Sequence, residues 1–347
     1  MNRTYLVIAL AQIAIPAFAG AQEVASAVPH SSEKHVCRQE VVLFGGSSAS
    51  GNFLADTWAW DGKNWQQKLP ATSPAARQGP GMALDKRRRE IVLFGGFGNS
   101  DLSADTWTWD GSDWEQKFPA TAPSARASNP LAYDAARGDV LLFGGGAGTA
   151  ILSDTWTWDG SNWEQQFPAT IPPGRVLAGM AEDPRSTGVV LFGGLHVAGE
   201  WLSDTWIWDG INWEEKFPAT SPSPRLGPAM ALDAIHRQVV LFGGEDANGN
   251  VLSDTWTWDG SNWEQRFPMS SPPPQFGQSM APEENGRGVL LFVGQPFPFQ
   301  TWTWNGSNWE QQLSADSPSA RLQPGLASGA GRNQCHHDFD DEHNDEQ

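Results

Sequence analysis

The chain has 347 residues, 39% of them hydrophobic, with 22 basic against 40 acidic side chains and a formal net charge of −18. That balance argues against a nucleic-acid backbone or an anionic membrane surface as partner, since both repel an acidic protein. Glycine (37), proline (25) and tryptophan (19) are abundant, and no helical period of apolar residues occurs after the first 21 positions.

In chain order, Arg3 precedes an apolar run from Tyr5 to Phe18 broken only by Gln12, and "AFAGAQ" follows with small residues at a cleavage site. Residues 1–21 therefore read as a secretory signal peptide cut after Ala21, and the protein is expected to be secreted or periplasmic. No later run approaches the length of a membrane helix, so no membrane insertion is expected. Residues 22–37 read as a linker, 38–335 as the repeat domain, and 336–347 ("HHDFDDEHNDEQ") as an acidic, His-containing tail.

Six copies of one motif fill the repeat domain. An apolar run ending in Gly-Gly recurs as "VVLFGG" (41–46), "IVLFGG" (91–96), "VLLFGG" (140–145), "VVLFGG" (189–194), "VVLFGG" (239–244) and, altered, "VLLFVG" (289–294). The period is near 50 residues, longer than a WD40 repeat despite the recurrent Trp-Asp. Each run is continuous and rich in Val, Leu and Ile, as in a strand buried on both faces. Next comes an alternating stretch such as "SDTWTWDG" (153–160), whose Asp-Gly marks a hairpin turn. Strands of the type "NWEQQF" and, after a Pro-rich loop and an arginine, "LAGMA" complete a unit of four.

A Gly-Gly doublet after a buried strand, then two aromatics flanking a turn, six times over, resembles the kelch family across about residues 38–335. The likeness is to the bacterial secreted and galactose-oxidase-like type, with Trp in place of the usual Tyr. It implies an all-β, six-bladed propeller of four-stranded antiparallel blades around a channel. Lettering strands A to D from the channel outward, the chain starts with strand B of blade 1 and ends with a lone strand A, "RLQPGLAS" (321–328). That strand can complete only the first blade, which closes the ring. Cys37 and Cys335 would then flank the missing A–B hairpin, and a disulfide between them is expected.

The recurring polar residues read as structure. Sorted by blade, Arg77 goes with Asp105, Arg126 with Asp154, Arg175 with Asp204, Arg225 with Asp254 and Arg321 with Asp56. The one blade without its Arg (Gln275) also lacks its Asp (Gln300) and its first Gly (Val293). With A strands opening on Arg and C strands on Asp, two strand spacings apart, each pair is expected to form an ion pair over the side-chain-free glycine doublet. Eighteen of the nineteen tryptophans fall three to a repeat and read as packing between blades.

Function is expected on the face carrying the B–C and D–A loops, where the repeats diverge. Phe97, Asn99, His196, Glu200, Trp201, Asp246, Asn248, Phe297 and Phe299 there combine apolar platforms with hydrogen-bonding groups. The expected activity is a binding module for a glycan or protein ligand, acting as a monomer without cofactor or metal. The alternatives are a cofactor-independent carbohydrate enzyme of sialic-acid mutarotase type and a purely structural surface protein. A copper site like that of galactose oxidase needs two tyrosines, and only Tyr5 and Tyr133 exist. "SDTWTWDG" also lacks the spacing of a sialidase Asp-box.

Overall fold

The computed structural model describes residues 35–99, 101–283, 288–294 and 299–337. The expected signal peptide, most of the expected linker, Phe297 and the tail from residue 338 lie outside the described residues. Six four-stranded antiparallel sheets form the blades, and their innermost strands together line one central channel. Val197–Gly199 is a single turn of 3-10 helix.

Each blade runs A-B-C-D outward. Blade 3, for example, is Leu131–Asp134, Asp139–Ala147, Ala150–Trp158 and Trp163–Gln166. The apolar B strands are the core. Val140, Leu141, Leu142 and Phe143 are fully buried, as are their counterparts in blades 2, 4, 5 and 6. Because one face of a B strand meets the blade before and the other the blade after, both faces must be apolar.

Blade 1 is assembled from both ends of the chain. Its order is Gly325–His337, His35–Phe44, Thr57–Trp60, Trp65–Lys68. The first two strands pair from Phe44↔Gly325 through Val41↔Ser328 to Cys37↔Cys335 and His35↔His337, with one irregularity between Cys37 and Gln39. Residues 35–37, expected as linker, and 336–337, expected as tail, are therefore strand. Pairing with each other satisfies backbone groups that would otherwise need water.

Two further departures from the sequence reading concern strand ends. The arginines do not open the A strands. Arg77–Gln78 forms its own short ladder with Phe97–Gly98, and the A strand starts at Gly81. Arg321–Leu322 does the same with Ser47–Ser48. The cause is the residue two places after each Arg, which takes a left-handed conformation (Gly79, Ser128, Leu177, Gly227, Gly277, Gln323) and breaks the strand. In blades 3, 4 and 5 the Asp does not open strand C either. Strands B and C continue past it as a hairpin, pairing Gly145↔Leu152, Gly194↔Leu202 and Gly244↔Leu252. The variable loops of those blades are correspondingly short.

The tryptophans do more than fill space. Each D-strand indole donates to the C-strand threonine of the preceding blade: Trp114 to Thr57, Trp163 to Thr106, Trp213 to Thr155, Trp263 to Thr205, Trp309 to Thr255 and Trp65 to Thr301, at 2.8–3.0 Å. The series runs once round the ring. In three blades the last C-strand indole reaches a buried acid at the end of the previous A strand: Trp208 to Asp134 (2.8 Å), Trp258 to Asp183 (3.1 Å) and Trp60 to Glu283 (2.7 Å). Edge-to-face contacts such as Phe94–Trp163, with centroids 5.2 Å apart, add an aromatic tie across the same boundaries.

Candidate functional site on the loop face

Five blades carry the same ion pair. Arg77 reaches Asp105 with both terminal nitrogens (2.5 and 2.9 Å) and also donates to the carbonyl of Gly95 (3.0 Å). The same fork joins Arg126 to Asp154, Arg175 to Asp204, Arg225 to Asp254 and Arg321 to Asp56. These guanidiniums are at most 2% exposed. Such burial is tolerable only because carboxylate and carbonyls use the donors. Arg77, Arg126, Arg175 and Arg225 also tie two blades, since the carbonyl of each accepts from the second glycine of the previous doublet, as in Gly46 N to Arg77 O (2.8 Å).

The doublet has two reasons to be glycine. Both positions have positive φ, 71° and 106° at Gly95 and Gly96, a region that side chains disfavour. A Cβ at Gly45 would also stand 2.6 Å from the carbonyl of Arg77. In blade 6 Val293 replaces the first glycine and is fully buried, filling the lane the arginine uses elsewhere.

Burial pushes the fork aspartates upward in pKa. The hydrogen bonds and charge of their arginines, joined by a Trp indole two residues on, outweigh it, and Asp56, Asp105, Asp154 and Asp254 end below the ordinary 3.8. Asp134, buried beneath Trp208 without a fork, is raised instead.

Inside the forks the channel narrows. The left-handed residues link head to tail through their backbones: Gly79 N to Gln323 O, Ser128 to Gly79, Leu177 to Ser128, Gly227 to Leu177 and Gln323 to Gly277, at 2.8–3.2 Å. Below this collar the wall is a row of Met82, Leu131, Met180, Met230, Met280 and Leu326, then a row of six alanines, enclosing about 80 Å³. Six-fold regularity fails at the far mouth. There Lys86 spans from blade 2 to Glu182 of blade 4 (2.7 Å) and lies 5.8 Å from the ring centre of Tyr133 between them. Burial, then the charges of Asp85 and Glu182, hold the Tyr133 phenol above its usual range.

The residues expected to bind are dispersed. Phe97 is exposed (41%) and meets Phe53 edge-to-face at 5.5 Å. Asn99 is exposed beside it. In blade 4, His196 Nδ1 is engaged with the carbonyl of Gly174 (2.5 Å), Glu200 is exposed, and Trp201 is half-buried in the hairpin opposite Leu195. Asp246 and Asn248 belong to a self-contained turn in which Asp246 accepts from the backbones of Asn248 and Asn250. The Asn250 side-chain amide, which donates to the same carboxylate (3.0 Å), and then these backbone hydrogen bonds hold its carboxyl low. Phe299 is no platform. It packs into the core against Phe292 and Trp65, with centroids 5.2 and 6.4 Å away, filling the frayed end of blade 6.

Phe97 borders a concavity. A groove of about 330 Å³ runs over blades 2 and 3, walled by Phe97, Leu102 and Val176, with Gln78, Ser128 and Gln323 as its polar members. The last five escaped sequence reasoning. Ser128 and Gln323 had one signal, since they stand where Gly79, Gly227 and Gly277 occupy the left-handed position in other blades.

Residues 20–176 match the family model described as the KLHDC2/KLHL20/DRC7 Kelch-repeats domain. Blades 4 to 6, beyond the match, repeat the same strands, doublets and forks in register, apart from the altered unit of blade 6. The match and the six-bladed ring together support the kelch-repeat family for this chain, whose propellers are commonly protein-interaction modules. No curated protein matches the chain significantly.

Proposed function

We propose that the protein is an exported binding module whose loop face takes up a segment of a protein ligand, with an apolar side chain seated in the groove over blades 2 and 3. The observation that carries this reading is the groove itself. Its volume lies at the small end of ligand sites, and three apolar walls are joined by two amides and a hydroxyl that can accept and donate to a peptide backbone. No charged group lines it, which suits a neutral segment better than an acidic sugar. A peptide selection against the wild-type protein, followed by affinity measurements on Phe97→Ala and Gln323→Ala, tests it. Each variant is expected to weaken binding by about tenfold, or roughly 1.4 kcal/mol. Peptides that bind both variants as tightly as wild type would place the site elsewhere. A glycan-array signal lost in Phe97→Ala would transfer the groove to a carbohydrate. Export is tested by sequencing the N-terminus of the protein recovered outside the cytoplasm, which should begin at Gln22.

A further inference from the structure

Thirteen large apolar side chains stand exposed among the described residues, and eleven of them are on the loop face. Ile211 and Ile235 are the exceptions. Six of the eleven form a set: Leu69, Phe118, Phe167, Phe217, Phe267 and Leu313, one per blade, each 83–87% exposed. Each directly follows the last residue of its outermost D strand, so all six share one register position, at one height on the rim. A residue that packs on nothing within its own fold has no folding reason to stay apolar in every repeat. Here all six repeats keep Phe or Leu while the residue before it drifts among Lys, Gln and Arg.

We propose that the loop face docks flat on a zwitterionic lipid surface, with this ring of six seated at the headgroup–acyl boundary. A protein ligand would engage one or two neighbouring rim positions. A flat, continuous, apolar-accepting surface engages all six at once. The charges fit the same orientation. Beside the ring, Lys117 pairs with Glu115 (2.6 Å), Lys216 with Glu214 (2.6 Å), Arg266 with Glu264 (3.0 Å) and Lys68 with Glu40 (3.1 Å), so in these four blades the rim cation is neutralised. The C–D turns, with Asp61, Asp110, Asp159, Asp209 and Asp259, lie on the opposite face, as do the paired ends at His35 and His337. The acids of these turns thus point away from the headgroups, beyond a Debye length at physiological salt for turns one strand away. Asp101, Glu200, Glu245, Asp246 and Asp316 stay on the loop face, which excludes an anionic surface and leaves a zwitterionic one. Neutral headgroups fit this rim better than a second copy would, since two such chains each carry a net −18. The proposal does not rest on the ligand reading.

The test is co-sedimentation of the full chain with phosphatidylcholine vesicles at physiological and at high salt. Wild type is expected to pellet with lipid at both, because apolar contact is not screened. Replacing Phe118, Phe167, Phe217 and Phe267 together by Ser should lower the partition coefficient by more than about tenfold, with the near-ultraviolet circular dichroism unchanged because these rings are uncovered. Ile211→Ser with Ile235→Ser on the far face should leave partition as in wild type. Three results would each overturn the proposal: wild type remaining in the supernatant, the four-serine variant pelleting equally, or lipid-free self-association abolished by those serines, which would make a second copy the occupant.

Discussion

Blade 1 is stitched from the two ends of the chain, and blade 6 is one continuous stretch, yet the full Arg–Gly-Gly–Asp unit survives in the stitched blade and is lost in the continuous one. In blade 1 the fork joins Arg321 to Asp56 across 265 residues. In blade 6 Gln275 turns its amide back to the carbonyl of Pro274, and its Oε1 is buried without a protein partner. Trp302 donates to Gln300 where the other blades offer an aspartate. A blade can therefore form without the fork, provided arginine, first glycine and aspartate are exchanged as a set. Where the chain is cut, the fork is a side-chain tie between strands that no loop joins.

The largest effect expected of any change at this seam is loss of the proposed Cys37–Cys335 disulfide. The ladder sets the two directly opposite. Closing a loop of nearly 300 residues stabilises by about 5 kcal/mol on a chain-entropy estimate. Guanidinium unfolding of Cys37→Ser with Cys335→Ser should show a much lower midpoint than wild type, and an unmoved midpoint with both thiols titrating as free would dismiss the bond. Next, Asp56→Ala strands a buried guanidinium and should destabilise by roughly 3–5 kcal/mol, whereas Gln300→Ala, with no charge to orphan, should stay below about 1 kcal/mol. Equal losses at the two positions would erase the contrast between the blades.

Acid should expose the same contrast more gently. Asp56, Asp105, Asp154 and Asp254 titrate below 3.8 in the folded protein. Their contribution is complete above the unfolded value and is lost as pH falls through the lowered one. Asp134 works in the opposite sense, since its raised pKa lets stability recover slightly as it protonates. Unfolding midpoints followed downward from pH 5 should fall below pH 3.8, and less steeply in Arg321→Met with Asp56→Met, which lacks one fork. Thr301→Val, which removes the acceptor of Trp65 across the blade 6–blade 1 boundary, should cost about 1–3 kcal/mol in a buried setting. Thr106→Val, between two forked blades, supplies the reference.

The period of the doublets, the alternation of "DTWTW" and the orphan strand at the C-terminal end made the ring legible in sequence, because each reflects a local rule that repetition amplifies. Arg321 could be matched with Asp56 before any coordinates, since a closed ring admits one partner. The end of a strand is a weaker signal. Gln323 and Ser128 sit in left-handed conformations without being glycine, so the breaks that set the arginines on a separate ladder were hidden. The groove was hidden for the same reason, as Gln78 meets Phe97 through that separate ladder and Ser128, Val176 and Gln323 meet it only through inter-blade geometry. Phe299 misled in the opposite direction, an aromatic in a variable loop that the core of blade 6 absorbs.

The mixed parentage of blade 1 also sets the order in which the protein can be completed. As the nascent chain emerges, blades 2 to 6 receive their strands in sequence, while blade 1 waits with B, C and D built and its inner wall unmade. Val42 and Leu43, buried in the finished ring, stay uncovered on one side until Gly325 and the residues after it have left the ribosome. A message truncated between Gln312, where blade 6 ends, and Gly325 yields five whole blades and an open seam, and the cell would meet it as an aggregation-prone fragment instead of a slightly shorter propeller.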